Sequence, residues 1–193
     1  MIRVLFVLAV AAMAQEWKPL REWKPTAFPG AGKVVWDGGK VQLGAGEPMT
    51  GITAGGFAAK TGYEIRFKAT RVMGNDFFCS LTFPYGEAHA TWVNGGWGGD
   101  IVGISSIDNW DASENETRTY FNFENGREYS FRLEVRPDSI RAYIDERRVV
   151  DLAINGRAMG LRRGMAATVP LSLFSYNTVA SIRDIEYRTL ASR

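Results

Sequence analysis

Residues 126–152, GREYSFRLEVRPDSIRAYIDERRVVDL, decide the fold. Tyr129, Phe131, Leu133 and Val135 alternate with Ser130, Arg132, Glu134 and Arg136, the period of two expected of a strand with one face in a core. Ile140, Ala142 and Ile144 repeat the pattern, and Asp145-Glu146 turns the chain back into Arg147 to Leu152. Three such strands joined by short polar turns make an antiparallel meander.

The same period extends in both directions. Tyr63, Ile65, Phe67 and Ala69 alternate with Glu64, Arg66, Lys68 and Thr70, and Phe77, Cys79, Leu81 and Phe83 follow suit. Lys33 to Trp36 and Lys40 to Leu43 flank Asp37-Gly38-Gly39, a hairpin by its turn chemistry. The chain closes with Leu171 to Tyr176, a turn at Asn177, and Val179 to Tyr187, where Ile182 and Ile185 fall out of strict period and predict a bulge. No window sustains a helical period, although Asp111-Ala112-Ser113-Glu114 has the N-cap and N3 spacing that starts one turn. So many short strands predict an all-β protein, an antiparallel two-sheet β-sandwich. A jelly-roll connection is expected over an immunoglobulin-like one, because the Cys…Trp…Cys core is absent and the chain is longer than such domains.

The ends divide the 193 residues into three parts. Arg3, the apolar run Val4 to Ala12 and the small residues Ala12-Met13-Ala14 read as a secretory signal peptide over residues 1–14, cut after Ala14. The run is too short to span a bilayer and no second one follows, so a secreted or periplasmic protein without a membrane span is expected. Residues 15–30 form an arm with a duplication, Glu16-Trp17-Lys18-Pro19 and Glu22-Trp23-Lys24-Pro25, whose prolines favour an extended backbone. Its tryptophans are expected to pack on the domain, with docking to a protein partner as the alternative. Residues 31–193 then form a single jelly-roll domain, within the usual size of one unit.

Composition removes several functions. Lys and Arg number 23 against 21 Asp and Glu, with no basic block to track phosphates, so nucleic acid is not expected as a partner. Cys79 is the only cysteine, which excludes an intrachain disulfide, and its apolar strand setting predicts a buried thiol. His89 is the only histidine, which excludes a polyhistidine zinc centre. No Gly-x-x-x-x-Gly-Lys-Ser/Thr loop is present to cradle a nucleotide.

One segment breaks the strand pattern. Between Trp92 and Thr119 lie Trp92, Trp97 and Trp110, the pairs Gly95-Gly96 and Gly98-Gly99, and the acids Asp100, Asp108, Asp111, Glu114 and Glu116. Aromatic faces, carboxylates and amides on a glycine-bent backbone suit a sugar, which has apolar C–H faces and a rim of hydroxyls. Trp92, Asn94, Trp97, Asn109, Trp110 and Asp111 are the candidate substrate-binding residues, with Trp97 and Trp110 as stacking platforms. Asp108, Asp111, Glu114 and Glu116 are candidate oxygen ligands for Ca2+, although no cofactor is required by the pattern and the spacing matches no known calcium loop.

The order Val34-Val35-Trp36-Asp37-Gly38-Gly39-Lys40-Val41, Gly62-Tyr63-Glu64-Ile65-Arg66-Phe67, Gly126 to Val135, Ala142-Tyr143-Ile144-Asp145 with Val149-Val150-Asp151, and Ile182-Arg183-Asp184-Ile185 resembles the bacterial 3-keto-disaccharide hydrolase domain. That family, also described as a 3-keto-glucoside lyase and hydratase domain, falls within the concanavalin-like jelly rolls. The likeness runs in order from Lys33 to Leu190 and lies in core and hairpin residues. It implies a carbohydrate-active protein acting on glycosides by proton abstraction and elimination or hydration. Such chemistry needs a base, an acid and a group to hold enolate charge. His89, Asp100 and Asp108 are the catalytic candidates, with Glu87, Asp111, Arg118 and Arg162 as further groups. The Glu-x-Asp-x-x-Glu strand of laminarinase-like enzymes is absent, which removes the most specific sign of a retaining acid pair. A non-catalytic, lectin-like carbohydrate-binding module and a protein-binding structural or adhesion domain stand as the alternatives.

Overall fold

The computed structural model describes residues 15–191, so the expected signal peptide lies outside the described residues. The strands in chain order are β1 (Lys18–Pro19), β2 (Trp23–Pro25), β3 (Val34–Asp37), β4 (Lys40–Leu43), β5 (Met49–Ala54), β6 (Tyr63–Met73), β7 (Ser80–Tyr85) and β8 (Ala88–Gly96). They continue as β9 (Ile101–Ser105), β10 (Thr119–Tyr120), β11 (Glu128–Val135), β12 (Ser139–Ile144), β13 (Arg147–Ala153), β14 (Ser172–Tyr176) and β15 (Val179–Thr189). A single 3-10 turn, Ala166–Thr168, is the only helical element among the described residues. The Asp111 to Glu114 spacing does make one turn, closed by the Glu114 and Asn115 N–H groups on the Asp111 carbonyl at 2.9 and 3.1 Å.

Two antiparallel sheets face each other as a jelly-roll sandwich. The first runs β13-β12-β11-β6-β15-β4-β3, with β1 added to β15, and the second runs β10-β9-β8-β7-β14-β5-β2. The meander of residues 126–152 is β11-β12-β13, and Phe131 pairs with Phe67 of β6 on one side and Ile144 of β12 on the other. The space between the sheets is filled by Tyr63, Ile65, Phe67, Tyr129, Phe131, Leu133, Ile140 and Ile144 from the first and by Leu81, Phe83, Trp92, Val102, Ile104 and Leu173 from the second. Cys79 is buried among them, and desolvation holds its thiol pKa well above the ordinary value, so it packs as a small hydrophobe.

Turn residues do what their types predict. Gly38 and Gly39 both have positive φ (53° and 86°), which lets two residues close β3 onto β4 with the hand that strand twist requires. The expected bulge in β15 falls between Arg183 and Glu186, with Asp184 in the left-handed region.

The duplicated arm serves both sheets. Lys18–Pro19 from the first copy pairs with Tyr187 and Glu186 of β15, and Trp23–Pro25 from the second pairs with Ala54 to Ile52 of β5. Trp17 meets the guanidinium groups of Arg66 and Arg188, at 4.2 and 4.5 Å from its ring centroid. Leu20 and Trp23 pack against the core where the arm crosses from one sheet to the other.

Candidate functional site

The outward faces of the two sheets differ in chemistry. On the first sheet, Glu64, Arg132, Arg188, Glu134, Arg136 and Arg141 pair with one another, and Arg66 and Lys68 pair with Glu186 and Asp184. A hollow of about 1070 Å3 lies along this face, lined by Arg66, Lys68, Arg132, Asp184 and Glu186. Most of its charges are already matched across the strands. The second sheet presents hydroxyls and apolar groups instead, and its outward face carries a groove of about 410 Å3.

That groove is floored by Ser80 of β7, Thr91 and Val93 of β8, Ser105 of β9 and Phe174 of β14, neighbours in register. Its walls are Trp97, Asp76, Phe77 and Tyr176 with Arg162, Arg163 and Met165 from the loop after β13. Trp97 is 40% exposed and has φ 51°, at the tight turn between β8 and β9. Gly99 next to it is obligatory: its φ is +115° and a Cβ there would stand 2.5 Å from the Asn75 carbonyl oxygen. Arg71, only 7% exposed, ties this turn down by donating to the carbonyls of Gly99 (3.4 Å) and Phe123 (2.5 Å) and to Asn125 Oδ1 (2.6 Å).

The hydroxyls on this face have assignable directions, since each carries one proton. Thr168 donates to the Met165 carbonyl (2.6 Å) and Thr82 donates to Thr168 (2.9 Å), so the Thr91–Thr82 contact at 3.1 Å must be donated by Thr91. Thr91 Oγ1 therefore offers the groove lone pairs only. Its cross-strand partner Ser105 accepts the Ala112 N–H at 2.8 Å and keeps its own proton free. An acceptor and a donor stand side by side, the pair a sugar hydroxyl satisfies.

The wall is set by charge. Asp111 accepts from Ser106 Oγ at 3.2 Å and pairs with Arg162 Nε at 3.0 Å, and the Arg162 guanidinium lies 5.6 Å from the Trp97 ring centroid. Two of the sequence candidates, Trp97 and Asp111, thus meet through a third residue, Arg162.

The remaining candidates are placed differently. Trp92 and Asn94 are corrections: both are 0% exposed and point between the sheets, because on β8 the inward parity falls on Ala90, Trp92 and Asn94. Trp92 packs edge-on to Phe131 at 5.8 Å, and Asn94 donates to the Cys79 carbonyl at 3.2 Å, so neither meets a ligand in the groove. Asp108 and Asn109 are the two central residues of a tight turn, with φ 50° and 69° and reciprocal bonds between Ile107 and Trp110 at 3.0 and 2.8 Å. Trp110, 57% exposed, stands beside that turn and outside the groove lining.

His89, Asp100 and Asp108 do not converge. His89 shares the outward face with Thr91 but sits one row away, opposite Pro84, and is not part of the groove lining. Desolvation lowers its pKa, so it is neutral at pH 7. Asp100 is exposed beyond Gly99, with its carbonyl taken by the Phe121 N–H. Asp108 is held by the Ala158 N–H and by Arg157, which depress its pKa. Among the further groups, Glu87 pairs with Lys60 and Arg118 donates to the Ser113 carbonyl.

The four acids considered for Ca2+ are also divided. Arg157 bridges Asp108 and Glu116, Arg162 takes Asp111, and no three His, Cys, Asp or Glu residues gather as a metal set among the described residues. Asn115 is a pin: its amide donates to the Ile104 and Trp110 carbonyls while its oxygen accepts from the Thr117 N–H and hydroxyl.

Sequence reasoning missed Asp76, Phe77, Ser80, Arg162 as a wall group, Arg163, Met165, Phe174 and Tyr176. A signal was present in strand parity, since the residues alternating with Leu81 and Trp92 are Ser80, Thr82, Thr91 and Val93. That outward face is largely covered by the chain itself, with Ser80 and Thr82 0% and Thr91 and Val93 6% exposed.

The sequence matches no protein-family model, and no curated protein matches it. Solved structures do share the fold. The carbohydrate-binding module CBM66 from Bacillus subtilis is 12% identical, with 92% of this chain and 98% of that one aligned at a TM-score of 0.51. The Crh5 transglycosylase in complex with NAG is 13% identical over 94% and 86% at 0.59, and a putative glycosyl hydrolase from Parabacteroides distasonis is 7% identical over 88% and 89% at 0.55. At these identities the likeness is one of architecture.

Proposed function

We propose that this chain is a carbohydrate-binding domain whose site is the groove on the outward face of the second sheet. The observation that carries the reading is the pairing of Trp97, held open on a tight turn, with the Arg162–Asp111 ion pair and the Thr91–Ser105 acceptor and donor. A pyranose would lay its C–H face on the indole while its hydroxyls meet the polar row. The shared fold with a carbohydrate-binding module, a transglycosylase and a glycosyl hydrolase supports a carbohydrate ligand. A secreted or periplasmic setting accords with the leader-like residues 1–14, and no helix of the described residues is long and apolar enough to cross a membrane.

Binding is favoured over catalysis by the lining itself. Asp76 is the only carboxylate among the lining residues, and no second one stands opposite it as acid-pair hydrolysis requires. Elimination from a 3-keto-glycoside, the chemistry implied by the family resemblance, would need a base and an acid at the sugar, and His89, Asp100 and Asp108 stand apart. The test is a binding screen of neutral and acidic oligosaccharides with the full chain and with Trp97→Ala, beside incubation with a 3-keto-disaccharide. Saccharide binding lost in the variant, with no sugar released, is expected; release of free sugar or a hydroxyglucal would overturn the non-catalytic reading.

A further inference from the structure

We propose that the saccharide taken by this groove is acidic, a hexuronate-containing chain whose carboxylate is held by Arg163 while its ring lies on Trp97. The inference rests on the binding reading above and names the class of ligand. The loop between β13 and the 3-10 turn carries Arg157, Arg162 and Arg163 and no acid. Arg157 is consumed outside the groove by Asp108 and Glu116, and Arg162 by Asp111. Arg163 lines the groove and makes no ion pair or side-chain hydrogen bond among the described residues. The Asp76 carboxylate is the only acid in the lining, beside Arg162 and Arg163, and one of its oxygens already accepts the Phe77 N–H at 2.8 Å.

The groove thus has a surplus of donors. The Arg163 fork is free, Arg162 has its Nη groups beyond the Nε given to Asp111, and Ser105 has an uncommitted proton, against the lone pairs of Thr91 and the second Asp76 oxygen. A planar guanidinium matches a carboxylate by two parallel N–H···O bonds, stronger than those to a neutral hydroxyl. The loop that carries Arg163 also holds Arg162 against Trp97, so charge recognition and ring stacking are set by one element. A neutral sugar would use the platform and the hydroxyl row and leave the fork in water.

Calorimetric titration of the full chain with trigalacturonate and with a hyaluronan tetrasaccharide, each beside its carboxyl-reduced neutral counterpart, tests this. Carboxyl reduction is expected to weaken binding roughly 10- to 100-fold, the range of a charge-assisted hydrogen bond. Arg163→Gln should bring the acidic sugar down to the neutral one's affinity, and Arg163→Lys should restore part of the difference. Because Arg163 is exposed, unchanged thermal melting is expected of both variants. Equal affinity for acidic and reduced forms, or a preference that survives in Arg163→Gln, would overturn the proposal while the binding reading stands. No affinity for any of the four sugars would overturn both.

Discussion

Replacing Arg71 by methionine tests how the groove is built. The side chain is 7% exposed and its guanidinium bridges Gly99, Phe123 and Asn125, so one residue of β6 holds the Trp97 turn to the segment before β11. Methionine keeps the aliphatic stem but leaves the Gly99 and Phe123 carbonyls, both on buried residues, without their donor. Each orphaned buried acceptor costs about 1–3 kcal/mol, whereas the exposed Asn125 amide turns to water at little cost. Part is recovered, because burial disfavours the Arg71 charge and lowers its pKa from the ordinary arginine value. The net expectation is a loss of about 2–4 kcal/mol, a large share of a domain stability of about 5–15 kcal/mol. Urea unfolding should show the midpoint falling by roughly 1–2 M with an unchanged slope. Amide exchange should quicken around residues 97–99 and 123–125 more than in the β11-β12 pair. A loss below about 0.5 kcal/mol, or exchange that quickens evenly, would refute the assignment of Arg71 as the tether.

Gly99→Ala should be worse than a surface substitution, since it meets both an unfavourable φ and the Asn75 carbonyl; a thermal scan is expected to show a drop of several degrees, and none would mean the turn can move. Acid should loosen the Asp108–Arg157–Glu116 tie. Both carboxyls have pKa values held below their ordinary 3.8 and 4.5, first by the Ala158 N–H for Asp108 and by Arg157 for Glu116, so their stabilisation is complete above those values and is lost as pH falls through the depressed ones. Arg157→Gln should flatten that acid dependence in a pH series of melting temperatures. Trp17→Ala removes a ring in contact with two guanidinium groups and should cost about 1–2 kcal/mol in urea unfolding, with the fold retained.

The sandwich was legible because its signal is repeated. Tyr129 to Val135 and Tyr63 to Ala69 each carry several turns of the same alternation, and the hairpins at Gly38-Gly39 and Asp145 depend on local chemistry alone. Even the β15 bulge announced itself through Ile182 and Ile185. The site was legible only in part. Trp97 stands out because loops rich in tryptophan and acids are unusual, and it lines the groove with Asp111 behind the lining on Arg162, but Trp92 and Asn94 point inward since one residue of register decides which face a strand side chain takes. Asp108 and Asn109 looked like ligand groups and proved to be turn formers, which tolerate positive φ. Arg163, and the place of Arg162 beside Trp97, were hidden for another reason: both lie more than sixty residues from Trp97, and only the packing of the loop after β13 across the second sheet brings them to it.

The most direct measurement is a two-dimensional NMR titration of the full chain with the tightest-binding saccharide from the screen, reading the tryptophan indole and backbone amide signals together. Shifts confined to the Trp97 indole and to the amides of Thr91, Ser105 and Arg162, with the Trp92 indole unmoved, are the predicted result. Shifts centred on Trp36, Lys68 and Arg132 would place the ligand on the charged face of the other sheet and contradict the account.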